Sequence, residues 1–338
     1  MGNRIGRRQL LQMLVMGAVT TRLGFAESTR PKSVVLVTNS EGNDITVIDL
    51  EKLTPAGDWA VGDHPHGIAV RQDGRVAYTT IESEHTLKSL DCATGKVLST
   101  LALPGRPNQC AVTPDGKFVA VPIFDGDSVQ IVDTTSMRIV KALPVKMPHN
   151  CLNAGNNQHM FVTSIRGNQV NMIDLKTLEY VAEIPVGGQP RPIAVDREEK
   201  TLYVALSLFH GFVIVDIPSR KVVHKVEFPA LPPDLDLRPL LNTATHGLML
   251  TPDGRELWAA SVPTGNVYVY DVASGKVSST IAVGKLPNWI AFSADGRYGC
   301  VTNTGSDDCS IIERSSRKEV ARVKVGKAPK RLAALSIS

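Results

Sequence analysis

From about residue 34 to the C-terminus, short apolar stretches alternate with polar turns rich in glycine and proline. No stretch keeps the spacing of an amphipathic helix. The stretches recur as a unit of about 42 residues. Each unit opens on a Val-Gly-like pair followed by proline, at Pro65, Pro107, Pro148, Pro190, Pro287 and Pro329, spaced 42, 41, 42, 97 and 42 residues apart. The interval of 97 holds one further unit, Thr245–Leu250, that has lost its proline. After each opening come an apolar strand, a tight turn, a β-rich strand, a loop, an alternating strand ending in Asp, and a last strand reaching the next opening. The tight turns read Gln72-Asp73-Gly74, Pro114-Asp115-Gly116, Pro252-Asp253-Gly254 and Ala294-Asp295-Gly296. In such turns Asp bonds its own backbone and Gly takes a positive φ.

Four strands per repeat predict an all-β, seven-bladed β-propeller with four-stranded blades. Six units are complete; they are numbered blades 1 to 6 from Pro65. The seventh has only its inner strand, Arg331–Ile337, at the C-terminus. Its other three strands are Val34–Asn39, Ile45–Leu50 and the stretch to Val61. One C-terminal and three N-terminal strands therefore close the ring and remove the free sheet edges that invite aggregation. About 13 residues beyond the repeat fall near 229–243, between blades 4 and 5. This Pro- and Leu-rich insertion reads as a lid or partner-docking flap beside His246, or as an insertion without a role of its own.

The chain carries 37 Lys and Arg against 33 Asp and Glu, with 43% hydrophobic residues, a globular composition. The basic excess sits in residues 1–26, which hold Arg4, Arg7, Arg8 and Arg22 and no acid. The neutral remainder, 27–338, argues against nucleic-acid binding. Residues 1–26 read as an export signal peptide: a basic start, an apolar run from Leu10 to Val19 too short to span a bilayer, and Gly24-Phe25-Ala26 as a cleavage site. Gly6-Arg7-Arg8-Gln9-Leu10-Leu11 is twin-arginine-like, although Gly6 and Gln12 depart from that pattern, and an ordinary secretory route stays open. The expected location is periplasmic or secreted, as a monomer with no membrane span once the signal is removed. Five cysteines form no CxxC or zinc spacing. Cys110 with Cys151, and Cys300 with Cys309, are the pairs close enough in the repeat to bridge; for the first pair, buried inert thiols are the stronger expectation.

Leu36-Val37-Thr38-Asn39 and Cys300-Val301-Thr302-Asn303, with the Val-Gly-x-x-Pro, Pro-Asp-Gly and Val-Ile-Asp elements, resemble the YVTN-type β-propeller repeat family. The pattern is similar, more distantly, to the haem d1 propeller of cytochrome cd1 and to lactonase-type propellers. No copy keeps the Tyr of the family's name. The resemblance spans residues 34–338 and implies architecture; propellers host many unrelated chemistries.

The residue after the motif proline occupies one equivalent slot in every blade: His66, Asn108, His149, Arg191, His246, Asn288 and Lys330. The loops between second and third strands, expected on the same face, add Glu82, Glu84, His85, Asp125, Asp127, Arg166 and His210, and His64 lies two residues before His66. Six of the eight histidines thus map to one face, and only His159 and His224 do not. Alternate blades are about 103° apart in a seven-fold ring. His66, His149 and His246 can therefore converge on the axis as ligands for Cu, Zn or Fe, with His64, His85 and His210 as possible additions. Arg191, Lys330, Asn108 and Asn288, with Arg106, Lys285 and Lys327 nearby, suit a carboxylate, a phosphate or the propionates of a haem-like group, for which a histidine can also be an axial ligand. Asp49, Asp91, Asp133, Asp174, Asp216 and Asp271 recur at one strand end in six blades, which marks turn capping rather than catalysis.

The leading expectation is an exported propeller that binds a small anionic ligand, metal or cofactor in a His-lined central funnel. The alternative is a metal-dependent oxidoreductase or a lyase or lactonase using the same histidines. A scaffold for a periplasmic protein partner is the third. The chain has no GxSxG, P-loop or CxxCH motif, and no nucleophile–base pair that favours hydrolysis.

Overall fold

Val34, Val35, Leu36 and Val37 are each 0% exposed, so this strand is covered on both faces, as no strand of a single open sheet could be. The cover comes from the two neighbouring blades. Val34 and Leu36 pack into one apolar cluster with Ile68, Ala77 and Leu90 of blade 1, while Val35 and Val37 pack into another with Trp289, Cys300 and Ile311 of blade 6. The period-2 alternation of a strand here serves two cores at once. Seven such clusters lie between seven adjacent pairs of blades.

The computed structural model describes residues 33–240 and 242–336. The expected export segment lies outside them. The described residues form seven four-stranded antiparallel sheets, six of them built from four consecutive strands. In the seventh, the C-terminal strand Pro329–Ser336 pairs with Ser33–Asn39, which pairs with Asp44–Asp49 and then Thr54–Ala60. That is the one-plus-three closure expected from counting. Among the described residues no helix is long and apolar enough to cross a membrane, and the insertion contributes a single 3-10 turn, Arg238–Leu240.

Turn chemistry follows the repeat. Gly74, Gly116, Gly254 and Gly296 all have φ near +70°, which an L side chain resists. The preceding Asp accepts the backbone N–H two residues on in each case, for example Asp115 from Lys117 at 3.1 Å. The six recurrent strand-end aspartates cap turns in the same manner, as where Asp174 accepts from Thr177 N–H at 2.7 Å. The third and fourth strands of all seven blades share a register shift at an equivalent position, a bulge that sharpens the twist of the outer pair.

The Thr and Asn of the repeat signature have separate tasks. Thr38 Oγ1 accepts from Arg331 N–H in its own blade at 3.0 Å and donates to the His66 carbonyl of the next blade at 2.8 Å. Thr80 joins Gly67 N–H to the Asn108 carbonyl, and Thr302 joins Trp289 N–H to the Lys330 carbonyl, in the same way. The Asn residues close hairpins instead: Asn39 Nδ2 donates to Asp44 and Thr46, and Asn303 Nδ2 to Asp308 and Ser310.

Candidate functional site

The threonine bridges fix the backbone of the slot residues where the inner strands begin, and those residues surround the hub. A cavity of about 430 Å3 opens there, lined by His66, Asn108, His149, Arg191, His246, Asn288 and Lys330, one from each blade. His64, Glu82, Arg106 and Phe124 complete one side, and Leu286, Thr304 and Val262 the other. Pro239, Leu240 and Thr243 of the insertion also line it. The size falls within the range of small-ligand sites.

Burial governs the histidines. His66 is 7%, His149 4% and His246 9% exposed, and burial holds all three imidazoles far below their ordinary pKa, so they are neutral. The nearby cations act in the same direction on His149 and His246, through Arg191 and Arg331. The His246 and His149 rings meet edge to face with centroids 5.5 Å apart. His246 Nδ1 lies 3.1 Å from the Asn288 carbonyl, which fixes the proton on Nδ1 and leaves Nε2 as the acceptor. The Nδ1 atoms of His66 and His149 are buried with no hydrogen-bond partner.

His66 turns elsewhere. Its Nε2 lies 4.0 Å from Glu82, whose other oxygen is 3.1 Å from His64 Nε2. The hydrogen bond to Glu82 raises the His64 pKa despite partial burial. Burial alone would raise Glu82 as well, but its pKa is lowered to about 2: the charge of His66 acts only in acid, where that ring is protonated, while at neutral pH the His64 hydrogen bond and Arg106 favour the carboxylate. The cavity thus carries a hydrogen-bonded pair, His64 with Glu82, and a neutral pair, His149 with His246. Among the described residues no group of three or more His, Cys, Asp or Glu is placed to hold a metal ion.

The cations remain in excess. Arg106, Arg191 and Lys330 line the cavity against one carboxylate, Glu82. Desolvation lowers the pKa of both Arg191 and Lys330, which is the electrostatic mark of cations pressed into a poorly solvated wall. Arg191 Nε donates to Ser207 Oγ at 3.1 Å. Arg106 stacks over Phe124, 4.6 Å from the ring centroid.

Of the residues anticipated from sequence, Arg191, Lys330, Asn108, Asn288, His66, His149, His246 and His64 all meet in this one cavity. His85 does not; it is exposed, in a turn at φ 50°. Nor does His210, whose Nδ1 lies 2.8 Å from the Pro229 carbonyl and Nε2 2.8 Å from Ser261 Oγ, tying the start of the insertion to blade 5. Lys285 and Lys327 stand outside the lining as well. The five cysteines are buried free thiols. In particular Cys309 faces Thr302 and Cys300 faces Ile311 across their strand pair, so neither thiol is the other's direct partner in register. Sequence reasoning left Glu82 as one of several loop acids and passed over Arg331. The signal for Arg331 was available: it stands where the other six blades have Gly67, Gln109, Asn150, Pro192, Gly247 and Trp289.

Comparison with known proteins agrees with this architecture. Antigen Lp49 of Leptospira interrogans is 22% identical over 247 residues, 56% of this chain but only 51% of its own length. The 6-phosphogluconolactonase of Erwinia tasmaniensis is 23% identical over 288 residues, 78% of this chain and 82% of that protein. Among solved structures, dihydro-heme d1 dehydrogenase NirN in complex with DHE superposes with a TM-score of 0.64 at 14% identity, covering 90% of this chain and 75% of that one. At such identities the likeness is one of fold. The model of the cytochrome D1 heme domain matches residues 118–337, more than half of the sequence, and with seven closed blades around one hub, the chain belongs to the cytochrome D1 heme domain family.

Proposed function

We propose that this protein is an exported binding propeller whose funnel takes a small anionic ligand or a carboxylate-bearing cofactor. The observation that carries the reading is the charge of the cavity. Arg106, Arg191 and Lys330 converge there around neutral imidazoles, with Glu82, among the described residues, the lone acid of the lining and already engaged by His64. Partly desolvated cations of this kind interact strongly with an oxyanion.

The family implies a haem-type group, and the donor set fits one. Arg191, Lys330 and Arg106 would hold its carboxylates, and the buried, unpartnered Nδ1 of His149 or His66 offers a neutral nitrogen for an iron. When bound, such a group supplies redox chemistry. The chain's own part would be to neutralise its acids, to pack the apolar Phe124, Leu286 and Leu240 of the lining against it, and to hold neutral imidazoles beside it. A metal bound by His66, His149 and His246 alone would require His66 to turn away from Glu82.

A second reading, an acid–base enzyme of the lactonase kind, has one observation in its favour. The hydrogen bond to Glu82 raises the His64 pKa at the mouth, which would suit a general acid.

Protein purified after native export is expected to begin near Glu27. It is expected to carry a Soret-like band if the ligand is haem-like, or to bind citrate calorimetrically if it is a colourless anion site. Colourless, metal-free protein that binds no anion would reject the binding reading and leave a scaffold. Hydrolysis of 6-phosphogluconolactone that is lost in Glu82→Gln would favour the enzyme.

A further inference from the structure

Arg331 is 0% exposed and is the residue directly after the lining residue Lys330. Its charge acts on His66, His149, His246 and Arg191, which belong to four different blades. A side chain that acts on all four lies near the hub of the ring, and Arg331 is not itself among the residues that line the cavity. The guanidinium rests on the Trp289 indole, 3.9 Å from its centroid, and Nη1 donates to Asn288 Oδ1 at 3.0 Å. Nε and Nη2 are buried and make no hydrogen bond.

Those two nitrogens form one edge of the guanidinium. Elsewhere in this protein the same edge grips carboxylates: Arg71 holds Asp73 by Nε at 2.9 Å and Nη2 at 2.6 Å, and Arg322 holds Glu319 by both at 2.9 Å. In Arg331 the edge is free, and Asn288 and Trp289 fix the plane in which it lies. Glu82 favours the Arg331 charge through space but makes no hydrogen bond to it, and a buried cation without a carboxylate in contact destabilises a fold. The architecture does not require it, because the six equivalent positions in the other blades are all uncharged.

We propose that the Nε/Nη2 edge of Arg331 is the anchor of the funnel, taking one carboxylate of the ligand side-on in a two-point fork. This rests on the reading of the funnel as an anion site and deepens it by naming the group that is recognised. Two parallel N–H donors match the two coplanar oxygens of a carboxylate; they also match two oxygens of a phosphate, so the choice of a carboxylate rests on the carboxylates that this same edge grips elsewhere in the chain. Lys330, Arg191 and Arg106 line the cavity and remain for further acidic groups of the same molecule. Burial lowers the Arg331 pKa to about 9, a penalty that a bound carboxylate would offset.

The test titrates the full-length chain, purified without its native ligand, with citrate, succinate and inorganic phosphate. It follows the Arg331 Nε–Hε resonance, assigned through bonds from the Arg331 backbone in the unmodified protein, together with calorimetric affinity. Citrate is expected to shift that resonance in the unmodified protein. Arg331→Lys, which keeps the charge and loses the fork, is expected to bind citrate about 10- to 100-fold more weakly at an unchanged melting temperature. Citrate binding with an unmoved Nε–Hε signal and equal affinity in Arg331→Lys would overturn the anchor and leave the anion funnel standing. Phosphate moving the signal as strongly as citrate would overturn the carboxylate preference. No binding of any of the three by the unmodified protein would instead reject the anion funnel. The resonance readout needs only the unmodified fold, so it decides the matter even if Arg331→Lys is unstable.

Discussion

Thr38 and His66 belong to different blades, and the Thr38 hydroxyl donates to the His66 carbonyl at 2.8 Å across the seam where the ring closes. The same oxygen accepts from Arg331 N–H at 3.0 Å, joining residues 293 positions apart in sequence. One hydroxyl thereby sets the backbone of a buried cation and of a buried imidazole.

Thr38→Val keeps the shape and leaves a buried N–H and a buried carbonyl without partners. A loss of about 1–3 kcal/mol is expected. It should appear as a lower urea midpoint with an unchanged slope. Thr302→Val, which breaks the equivalent bridge to Lys330, is expected to cost a similar amount. A Thr38→Val protein as stable as its parent would show that the bridge is not structural.

Ring closure makes the last strand indispensable. Residues Pro329–Ser336 cover the edge of Ser33–Asn39 and supply Leu332 and Leu335 to two different interblade cores. A chain ending at Ala328 is expected to lose cooperative unfolding and to aggregate through the exposed edge. Scanning calorimetry and size-exclusion chromatography provide the check, and a monodisperse truncated protein with a single sharp transition would contradict the closure argument.

The fold was legible because a repeat states its architecture several times. The near-equal spacing of Pro65, Pro107, Pro148 and Pro190 and the strand arithmetic at the two ends left one closed solution. The slot residues were legible for the same reason, since equivalent positions in a ring must face one hub. His85 and His210 were harder. Both sit in loops on the correct face, but His85 turns to solvent and His210 is drawn between Phe228, Tyr268 and the Pro229 carbonyl, choices made by tertiary packing that a single sequence does not display. Arg331 was obscured by sitting inside an apolar strand pattern, where a charge reads as an outward-facing residue. Its burial depends on Trp289 and Asn288 from another blade.

Buried thiols are poor nucleophiles because burial disfavours the thiolate. It raises Cys92 and Cys300 to about 12, and Cys110, Cys151 and Cys309 in the same direction. Native protein is therefore expected to react negligibly with a chromogenic disulfide reagent at pH 8. Five thiols should titrate in denaturant without reductant. Three would reveal a disulfide formed after export.

Acid should weaken the hub. His66, His149 and His246 are neutral when folded, with pKa values below the 6.5 of an exposed imidazole, His66 falling to about 3. Between the two values the unfolded chain binds more protons, so stability is full above pH 6.5 and falls as the pH drops below it. From pH 7 to pH 5 each such histidine contributes about 2 kcal/mol of destabilisation. His64 runs the other way: its raised pKa adds stability at low pH that fades as the pH climbs through it. Urea melts at pH 7, 6 and 5 should therefore show a net decline that flattens in the His149→Asn/His246→Asn double variant. An unchanged slope in that variant would mean these imidazoles are protonated in the fold.

Glu82 opposes the charge of the funnel while it holds His64 at 3.1 Å. Glu82→Gln removes the only carboxylate of the lining and the partner that raises His64, so the His64 titration midpoint should move down toward that of a free imidazole. Citrate should then bind several-fold more tightly near neutral pH, because an acceptor of like charge has left the wall. Carbon-detected titration of the histidine rings and calorimetry read the two effects separately. A fall in the midpoint with weaker citrate binding would show that Glu82 acts on the ligand through protonated His64, as the acid–base reading requires, and not as a simple electrostatic brake.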